Sequence, residues 1–439
     1  MDRPREQALA VLVEAERGSF ASALIEQARG EFDARDSAFI LELVYGVLRN
    51  RLRIDWILDR FSAKPVASTD DNTRNILRLG AYQLLFLDKV PASAAVNTAT
   101  ELAKMHGKKQ SYVNGLLRNI ERSKEKLPLP DAPDAAKRLS LLYSHPEWLV
   151  KRWTKRVGVE QTEEVLRNNN KPAPLVARTN TLRGTREELV QLLGSQGASV
   201  RRTTFSPSGI EILSSPGMTT LPAFREGRFL VQDEAAQLVG FILSPLPGET
   251  VLDACAAPGG KAMHLAEQMH DQGEVVALES DAQRIGRIAE NSGRLGISIV
   301  KPVRGDASTF RAGSYDRVLI DAPCSGLGVL RRHPDGRWTK KEGTIRERAV
   351  LQEKILENCS RLLKPGGVLV YATCTTEPEE NENIVRSFLS RNAGFTLDDP
   401  HPHLPGEAAK LVGDDLFFRT FPAAPDMDGF FAAKIVKAE

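Results

Sequence analysis

Asp316-Arg-Val-Leu-Ile-Asp-Ala-Pro-Cys-Ser-Gly-Leu-Gly328 is a short apolar run that breaks, at a cysteine, into a turn of small residues. Its downstream counterpart, Val368-Leu-Val-Tyr-Ala-Thr-Cys-Thr375, has the same form. Runs of this kind read as buried strands of a parallel sheet. Ligands bind at the carboxyl ends of such strands, so Cys324 and Cys374 are candidates for chemistry on one substrate. Upstream, Val251-Leu-Asp-Ala-Cys-Ala-Ala-Pro-Gly-Gly-Lys261 makes a third strand end, and its Pro-Gly-Gly turn lets backbone amides approach a ligand closely. A cofactor loop and both cysteines are therefore expected on one face of the sheet.

A cysteine after a strand is most often a small core residue. Cys255 and Cys359 take that reading, Cys359 because it falls inside the helical pattern of residues 356–362. Cys324 and Cys374 stand beside turn formers and hydroxyls, where partial exposure and a lowered thiol pKa are expected. No pair is Cys-x-x-Cys, so no metal site is expected.

Strand and helix alternate over residues 241–439. The strand runs are 251–253, 275–279, 299–303, 317–320 and 368–371, with helical stretches at 261–269, 281–295 and 340–363. This predicts a doubly wound, Rossmann-like sheet, with 416–421 and 429–435 as a closing hairpin at its edge. Residues 1–140 carry apolar positions at helical spacing, among them Ile40, Leu43, Val44, Val47 and Leu48, and predict a helical bundle. Its basic residues, including Arg49, Arg51, Arg53, Lys104, Lys108 and Lys109, read by default as a solvated face. The Pro-rich segment 124–134 reads as a linker. Residues 141–240 then predict a small α+β domain, in which Arg178 and Asn180 alternate with apolar neighbours and are expected to point into solvent. The fold class is thus multidomain, α followed by α+β and α/β.

At 439 residues the chain is too long for one ordinary core. A hydrophobic fraction of 41% and a charged fraction of 26% are those of a soluble globular protein, and a net charge of +2 by itself says nothing about partners, so any nucleic-acid signal must come from local clustering. Four cysteines without paired spacing suggest a reducing compartment. The first residues lack the apolar centre of a signal peptide, and no run of about 18 apolar residues is present to span a bilayer. A cytoplasmic protein without membrane contact is expected.

A nucleoside cofactor fits the acidic strand ends. Glu279 follows the glycine turn by about twenty residues, where an acid can bind ribose hydroxyls. Asp306, in Arg304-Gly-Asp-Ala307, is placed to meet an adenine amino group, whereas Asp281 reads as a helix cap.

Four motifs together, Asp253-Ala-Cys-Ala-Ala-Pro-Gly-Gly-Lys261, Asp321-Ala-Pro-Cys-Ser-Gly326, Arg331-Arg-His-Pro-Asp335 with Trp338, and Ala372-Thr-Cys-Thr375, resemble the S-adenosylmethionine-dependent RNA cytosine-C5 methyltransferases. The N-terminal part, at Val90-Pro-Ala-Ser-Ala-Ala-Val-Asn97 and Tyr112-Val-Asn-Gly-Leu-Leu-Arg118, is similar to NusB-type RNA-binding domains. The combination resembles the bacterial Sun/Fmu-type ribosomal RNA methyltransferases.

The resemblance implies methylation of carbon 5 of a cytosine in small-subunit (16S) ribosomal RNA. It makes Cys374 the nucleophile and Cys324 the group assisting release, with Asp321 on the cytosine edge and Lys261 orienting base and carboxylate. S-adenosylmethionine would be held by Cys255, Ala256, Ala257, Pro258, Gly259, Gly260 and Lys261 with Glu279, Asp306 and Asp321. Glu279 stands where such enzymes often have Asp, with Asp281 a possible substitute. Residues 331–338 look like a substrate loop, with guanidinium groups for phosphates and an aromatic surface for an unpaired base. A monomer acting on RNA is expected; transfer-RNA specificity and a non-catalytic NusB-like antitermination factor are the alternatives.

Overall fold

The computed structural model describes residues 2–28, 30–421 and 427–439. Two compact units make up the chain, Met1–Pro172 with Leu330–Lys340, and Ala173–Val329 with Lys341–Glu439.

The first unit holds α1 (Arg3–Glu16), α2 (Ala21–Ala28), α3 (Ala34–Phe61), α4 (Asp71–Phe86), α5 (Ala92–Met105), α6 (Gln110–Ser123), α7 (Ala135–Tyr143), α8 (Glu147–Val157) and α9 (Val159–Asn169). Aspartates set several starts: Asp33, Asp70 and Asp134 each accept the backbone N–H three residues on. Apolar stripes of α1 and α3 to α6 meet in a core containing Leu12, Leu43, Ile54, Ile76, Val96 and Leu117. The unit runs on through α9 to Pro172, so the helices after the Pro-rich segment pack with the bundle; the Ser144 hydroxyl at the end of α7 accepts from Leu52 N on α3.

Several arginines expected on a solvated face are structural. Arg49 is 9% exposed. Arg51, Arg74 and Arg78 converge on Glu16 at 2.6–3.1 Å. Burial alone would raise the pKa of Glu16, but the guanidinium of Arg78 and then Arg74 and Arg51 bring it down to about 2.

The second unit opens with an antiparallel sheet of β1 (Val176–Thr179), β2 (Ser199–Arg202), β3 (Gly209–Ser214) and β4 (Phe229–Val231) in the order β2-β3-β1-β4. Helix α10 (Arg186–Ser195), started by a Thr185/Glu188 capping box, and the single turn α11 (Pro222–Arg225) cover one side. Arg178 and Asn180 were expected in solvent, and both are buried, because the other side of β1 packs against the second part of this unit. Arg178 pairs with Glu267 at 2.8 Å, donates to Gly260 O at 2.8 Å and also donates to Gln232. Asn180 donates to Gly227 O and Leu295 O, both at 2.9 Å.

The large sheet follows, with α12 (Glu234–Leu243), β5 (Thr250–Asp253), α13 (Gly260–Gln268), β6 (Glu274–Glu279), α14 (Ala282–Leu295), β7 (Val300–Arg304) and β8 (Tyr315–Asp321). After β8 the chain enters the Leu330–Lys340 segment of the first unit, with its single turn α15 (Gly336–Thr339). It returns as α16 (Glu342–Arg361), β9 (Leu363–Thr373), α17 (Glu382–Arg391), β10 (Phe395–Asp398), β11 (Phe418–Arg419) and β12 (Phe431–Lys437). The order is β10-β12-β9-β8-β5-β6-β7, with β11 beside β12. Strands β9, β8, β5, β6 and β7 are parallel, whereas β12 runs antiparallel to β9, β10 and β11. The C-terminal hairpin expected at the edge, β11 with β12, stands at that end of the sheet: β12 lies against β9, and β11 and β10 share its outer side.

Period-2 alternation divides the parallel strands between two buried faces. Val251, Val275, Ala277, Leu319 and Val370 meet α12, α13 and α14, while Leu252, Leu278, Val318, Ile320, Leu369 and Tyr371 meet α16 and α17. Register places Asp321 opposite Ala372 on β9, two residues before Cys374, which fixes the relative height of the two cysteine turns.

Candidate active site

The two cysteine turns are tied through their backbones. Gly328 N donates to Cys374 O at 3.1 Å, and Gly429 N donates to Gly328 O at 2.8 Å. A side chain at Gly328 has no room, since a Cβ would lie 2.0 Å from Gly429 O and 2.8 Å from Cys374 O. The clasp brings Cys324 Sγ and Cys374 Sγ to 3.2 Å, both thiols being free and partly accessible.

Beside them, Lys261 Nζ at the start of α13 donates to Asp321 Oδ2 at 2.7 Å and lies 5.2 Å from the centre of the Phe430 ring. Burial works against the charge of Lys261, but Asp321 outweighs it and the ammonium pKa is raised. Cys374 does not show the lowered pKa expected from sequence. Its pKa is pushed well up, first by the hydrogen bond with Cys324 and then by burial, with Lys261 pulling it down. Asp253, at the end of β5, is wholly buried, and its pKa rises to about 7 through burial and then the nearby charge of Asp321.

The Pro-Gly-Gly turn leads into α13, which carries Lys261. The Ala257–Pro258 peptide is cis, and Gly259 takes φ +100°, a conformation that favours glycine, directly before α13. A Cβ at Gly259 would touch Ile288 Cα and Met263 Cε at 3.4 Å, so the turn is pressed onto α14. Glu279, 5% exposed, turns toward this loop and accepts from Ala257 N at 3.3 Å and from Asp281 N at 3.0 Å. Asp281 caps α14 as expected, accepting from Gln283 N. Asp306 is exposed beyond β7, where Oδ1 accepts from Ser308 N at 2.8 Å and from its hydroxyl at 2.7 Å. Ala256 and Ala257 are buried, and Cys255 is half-buried with its thiol pKa pushed well up by burial. Cys359, on the inner face of α16, lies in the core, as expected.

Family models match residues 240–436 as 16S rRNA methyltransferase RsmB/F, 2–122 as the NusB family and 145–219 as the RsmF/B-like ferredoxin-like domain. A probable ribosomal RNA small subunit methyltransferase B of Bacillus subtilis is 36% identical over 99% of this chain and 98% of its own. This chain belongs to the RsmB/F family of 16S ribosomal RNA methyltransferases. It is accordingly an RNA methyltransferase that uses S-adenosylmethionine. Ribosomal RNA small subunit methyltransferase B of Shewanella oneidensis is 36% identical over 96% of this chain and 95% of its own. Among solved structures, PH0851 superposes with a TM-score of 0.81 at 30% identity, covering 98% of each chain. A methyltransferase homolog protein from Pyrococcus horikoshii gives 0.61 at 29% identity, over 70% of this chain and 100% of its own.

The RsmB/F chain departs from the sequence reading at the presumed substrate loop. Arg337 is 1% exposed and donates to Asn170 Oδ1 at 2.7 Å and to the carbonyls of Asn169, Arg49 and Ser144. Those carbonyls lie on α3 and at the ends of α7 and α9, where helix C-termini favour a cation. Trp338 Nε1 donates to Leu48 O at 2.9 Å, with Arg51 stacked 5.2 Å above the ring. Both side chains anchor the 330–340 segment within the helical unit, and neither is a free surface for RNA. Among the described residues, no cluster of three or more potential metal ligands occurs and no helix is long and apolar enough to cross a membrane.

Sequence reasoning missed Glu380. It is buried in the turn Pro378–Glu380 after the Cys374 strand, and accepts from Ser325 N at 2.8 Å, Ser325 Oγ and Gln352 Nε2. The signal was the run Glu377-Pro-Glu-Glu-Asn381, which reads by default as a solvated loop.

Proposed function

We propose that this methyltransferase modifies carbon 5 of a cytosine in small-subunit ribosomal RNA through a transient bond to Cys374. The observation that carries this reading is the thiol pair at 3.2 Å beside the Lys261–Asp321 ion pair, at the strand ends that face the glycine turn. One thiol suffices for addition, and a second within contact distance suits a reaction in which the first must also depart.

The chemistry follows from the substrate. Carbon 5 of cytosine is a weak nucleophile until the Cys374 sulfur adds to carbon 6 and leaves an enamine. Bound S-adenosylmethionine supplies an electrophilic methyl group on a sulfonium. The residues suited to hold it are the turn from Cys255 through Ala256, Ala257, Pro258, Gly259 and Gly260 to Lys261, with Glu279 and Asp306 at the next strand ends. Asp321 hydrogen-bonds the amino edge of the base, and Lys261 holds that carboxylate and lowers the cost of a thiolate at position 374. After transfer, Cys324, having released its own proton to solvent, takes the carbon 5 proton as its thiolate. The electron pair of the broken C–H bond re-forms the ring double bond as the Cys374 sulfur departs.

Addition requires Cys374 to lose its proton to solvent, which its raised pKa opposes while the site is closed on Cys324. Entry of the base between the sulfurs removes the Cys324 hydrogen bond and leaves Lys261 as the nearest opposing charge. The target must leave its stack to reach the site, so an unpaired or loosened stretch of RNA is required.

The test is methyl transfer from labelled cofactor to naked small-subunit RNA, assembled subunits and transfer RNA, with mapping of the product base. Modification of a cytosine in small-subunit RNA is expected. Labelling of transfer RNA alone, or of another atom, overturns the reading.

A further inference from the structure

The Cys324 turn and the Cys374 turn come from strands fifty residues apart, and a covalent cycle that uses both sulfurs needs their separation held to a fraction of an ångström. The backbone clasp at Gly328 sets the far end of the Cys324 turn. Its near end, at Pro323 and Ser325, is held by a polar cluster under the site. Glu380 Oε1 accepts from Ser325 N at 2.8 Å and from Gln352 Nε2 at 3.1 Å, and its second oxygen takes the Ser325 hydroxyl. Gln352, on α16, also donates to Pro323 O at 3.1 Å. Ser325 Oγ lies 2.9 Å from Thr375 Oγ1, the residue after Cys374. Tyr371 OH on β9 donates to Glu380 O at 2.7 Å, and Asn381 links Thr373 Oγ1 at 2.6 Å to Thr375 O at 3.0 Å. Ser325, Gln352, Thr375, Glu380 and Asn381 are all buried.

We infer that Glu380 is a positioning residue, which holds the Cys324 turn against the Cys374 strand end so that the second thiol reaches the base for the release step. A carboxylate suits the place because it is all acceptor: the Ser325 amide, the Ser325 hydroxyl and the Gln352 amide each bring a donor, and an amide side chain would turn an N–H toward one of them. Burial raises the pKa of Glu380 and the donors oppose that rise, so the cluster has to be complete for the charge to be carried. Glu380 touches neither sulfur and acts through Ser325 and Gln352. Its loss is expected to leave addition by Cys374 intact and to slow the departure of that sulfur, because proton removal at carbon 5 depends on where Cys324 stands. The inference rests on the two-thiol reading above.

The test compares wild type with Glu380→Gln and, as a milder probe of the same contact, Ser325→Ala. In Glu380→Gln, kcat for methyl transfer falls about 10–100-fold, the scale for misplacing a reacting group by up to an ångström, while KM stays within about threefold. The fraction of enzyme caught as covalent protein–RNA adduct rises, and Ser325→Ala shows a smaller change of the same sign. A separate readout reports the thiol distance alone. Diamide, a diazene reduced to its hydrazine as it takes up both thiol hydrogens, closes a Cys324–Cys374 disulfide about tenfold more slowly in Glu380→Gln than in wild type, followed by intact mass. A Glu380→Gln enzyme with wild-type kcat, adduct level and disulfide rate overturns the inference, as does a variant that loses only thermal stability while kcat per folded molecule is unchanged. Failure of the two-thiol reading is distinguishable: the wild type and Cys324→Ala enzymes then give no Cys374 adduct, whatever Glu380→Gln does.

Discussion

Arg178→Met probes how the small sheet is joined to the helix that begins at the glycine turn. The Arg178–Glu267 pair is 0% and 1% exposed at its side chains, and Arg178 also holds Gly260 O, the first carbonyl of α13. Removing the guanidinium leaves a buried carboxylate without its cation, which costs about 3–5 kcal/mol. The Gly260 carbonyl, left without its charged donor, adds about 1–3 kcal/mol. Urea unfolding is therefore expected to show a loss of about 4 kcal/mol or more. Arg178→Met with Glu267→Leu, which removes both charges, is expected to recover most of it.

The loss in the single variant also depends on pH. Burial already raises the pKa of Glu267 with Arg178 present, and without Arg178 it rises further. A carboxyl whose folded pKa lies above its unfolded value holds the extra proton in the folded state, so stability falls as pH climbs past the ordinary 4.5. The double variant lacks that slope. A single variant within about 1 kcal/mol of wild type, or a double variant no better than the single, would refute the claim that this pair joins the two parts of the unit.

Three further outcomes are expected. Gly328→Ala, whose Cβ would fall 2.0 Å from Gly429 O, forces the two cysteine turns apart; activity drops by about 100-fold while the fold is retained, measured by methyl transfer and circular dichroism. Asp253→Asn removes a buried acid whose pKa stands near 7: wild-type stability relative to the variant falls as pH rises from about 4 toward 7 and is level above it, measured by urea unfolding across that range. Arg337→Leu takes the guanidinium donor from the carbonyls of Ser144 and Asn169 and from Asn170 Oδ1, and the helical unit loses about 3 kcal/mol or more, read as faster proteolysis; weakened RNA binding with unchanged stability contradicts the structural role.

The strand ends were legible in the sequence because each combines a branched apolar run with a turn of small residues, and that local pattern alone places Asp253, Asp321, Cys324 and Cys374 on one sheet edge. Neighbouring strands paired in register then bring the thiols together. What the sequence hid depends on partners distant along the chain. The alternation at Arg178 and Asn180 correctly predicted two faces for β1, but it carried no sign that α12, α13 and α14 would bury the second face, which turned solvent-facing residues into internal hydrogen-bond donors. Arg337 resembles a phosphate ligand until the ends of α7 and α9 are seen to converge on it. Glu380 was hidden for the opposite reason, since a run of acids after a motif is ordinarily solvated.

The role of Cys374 is tested most directly by trapping the enzyme on small-subunit RNA containing 5-fluorocytosine, whose carbon 5 cannot release a proton, and identifying the cross-linked peptide by mass spectrometry. The account predicts RNA bonded through the sulfur at position 374, in wild type and in Cys324→Ala, and none in Cys374→Ala. A bond at Cys324, or an adduct that persists in Cys374→Ala, contradicts it.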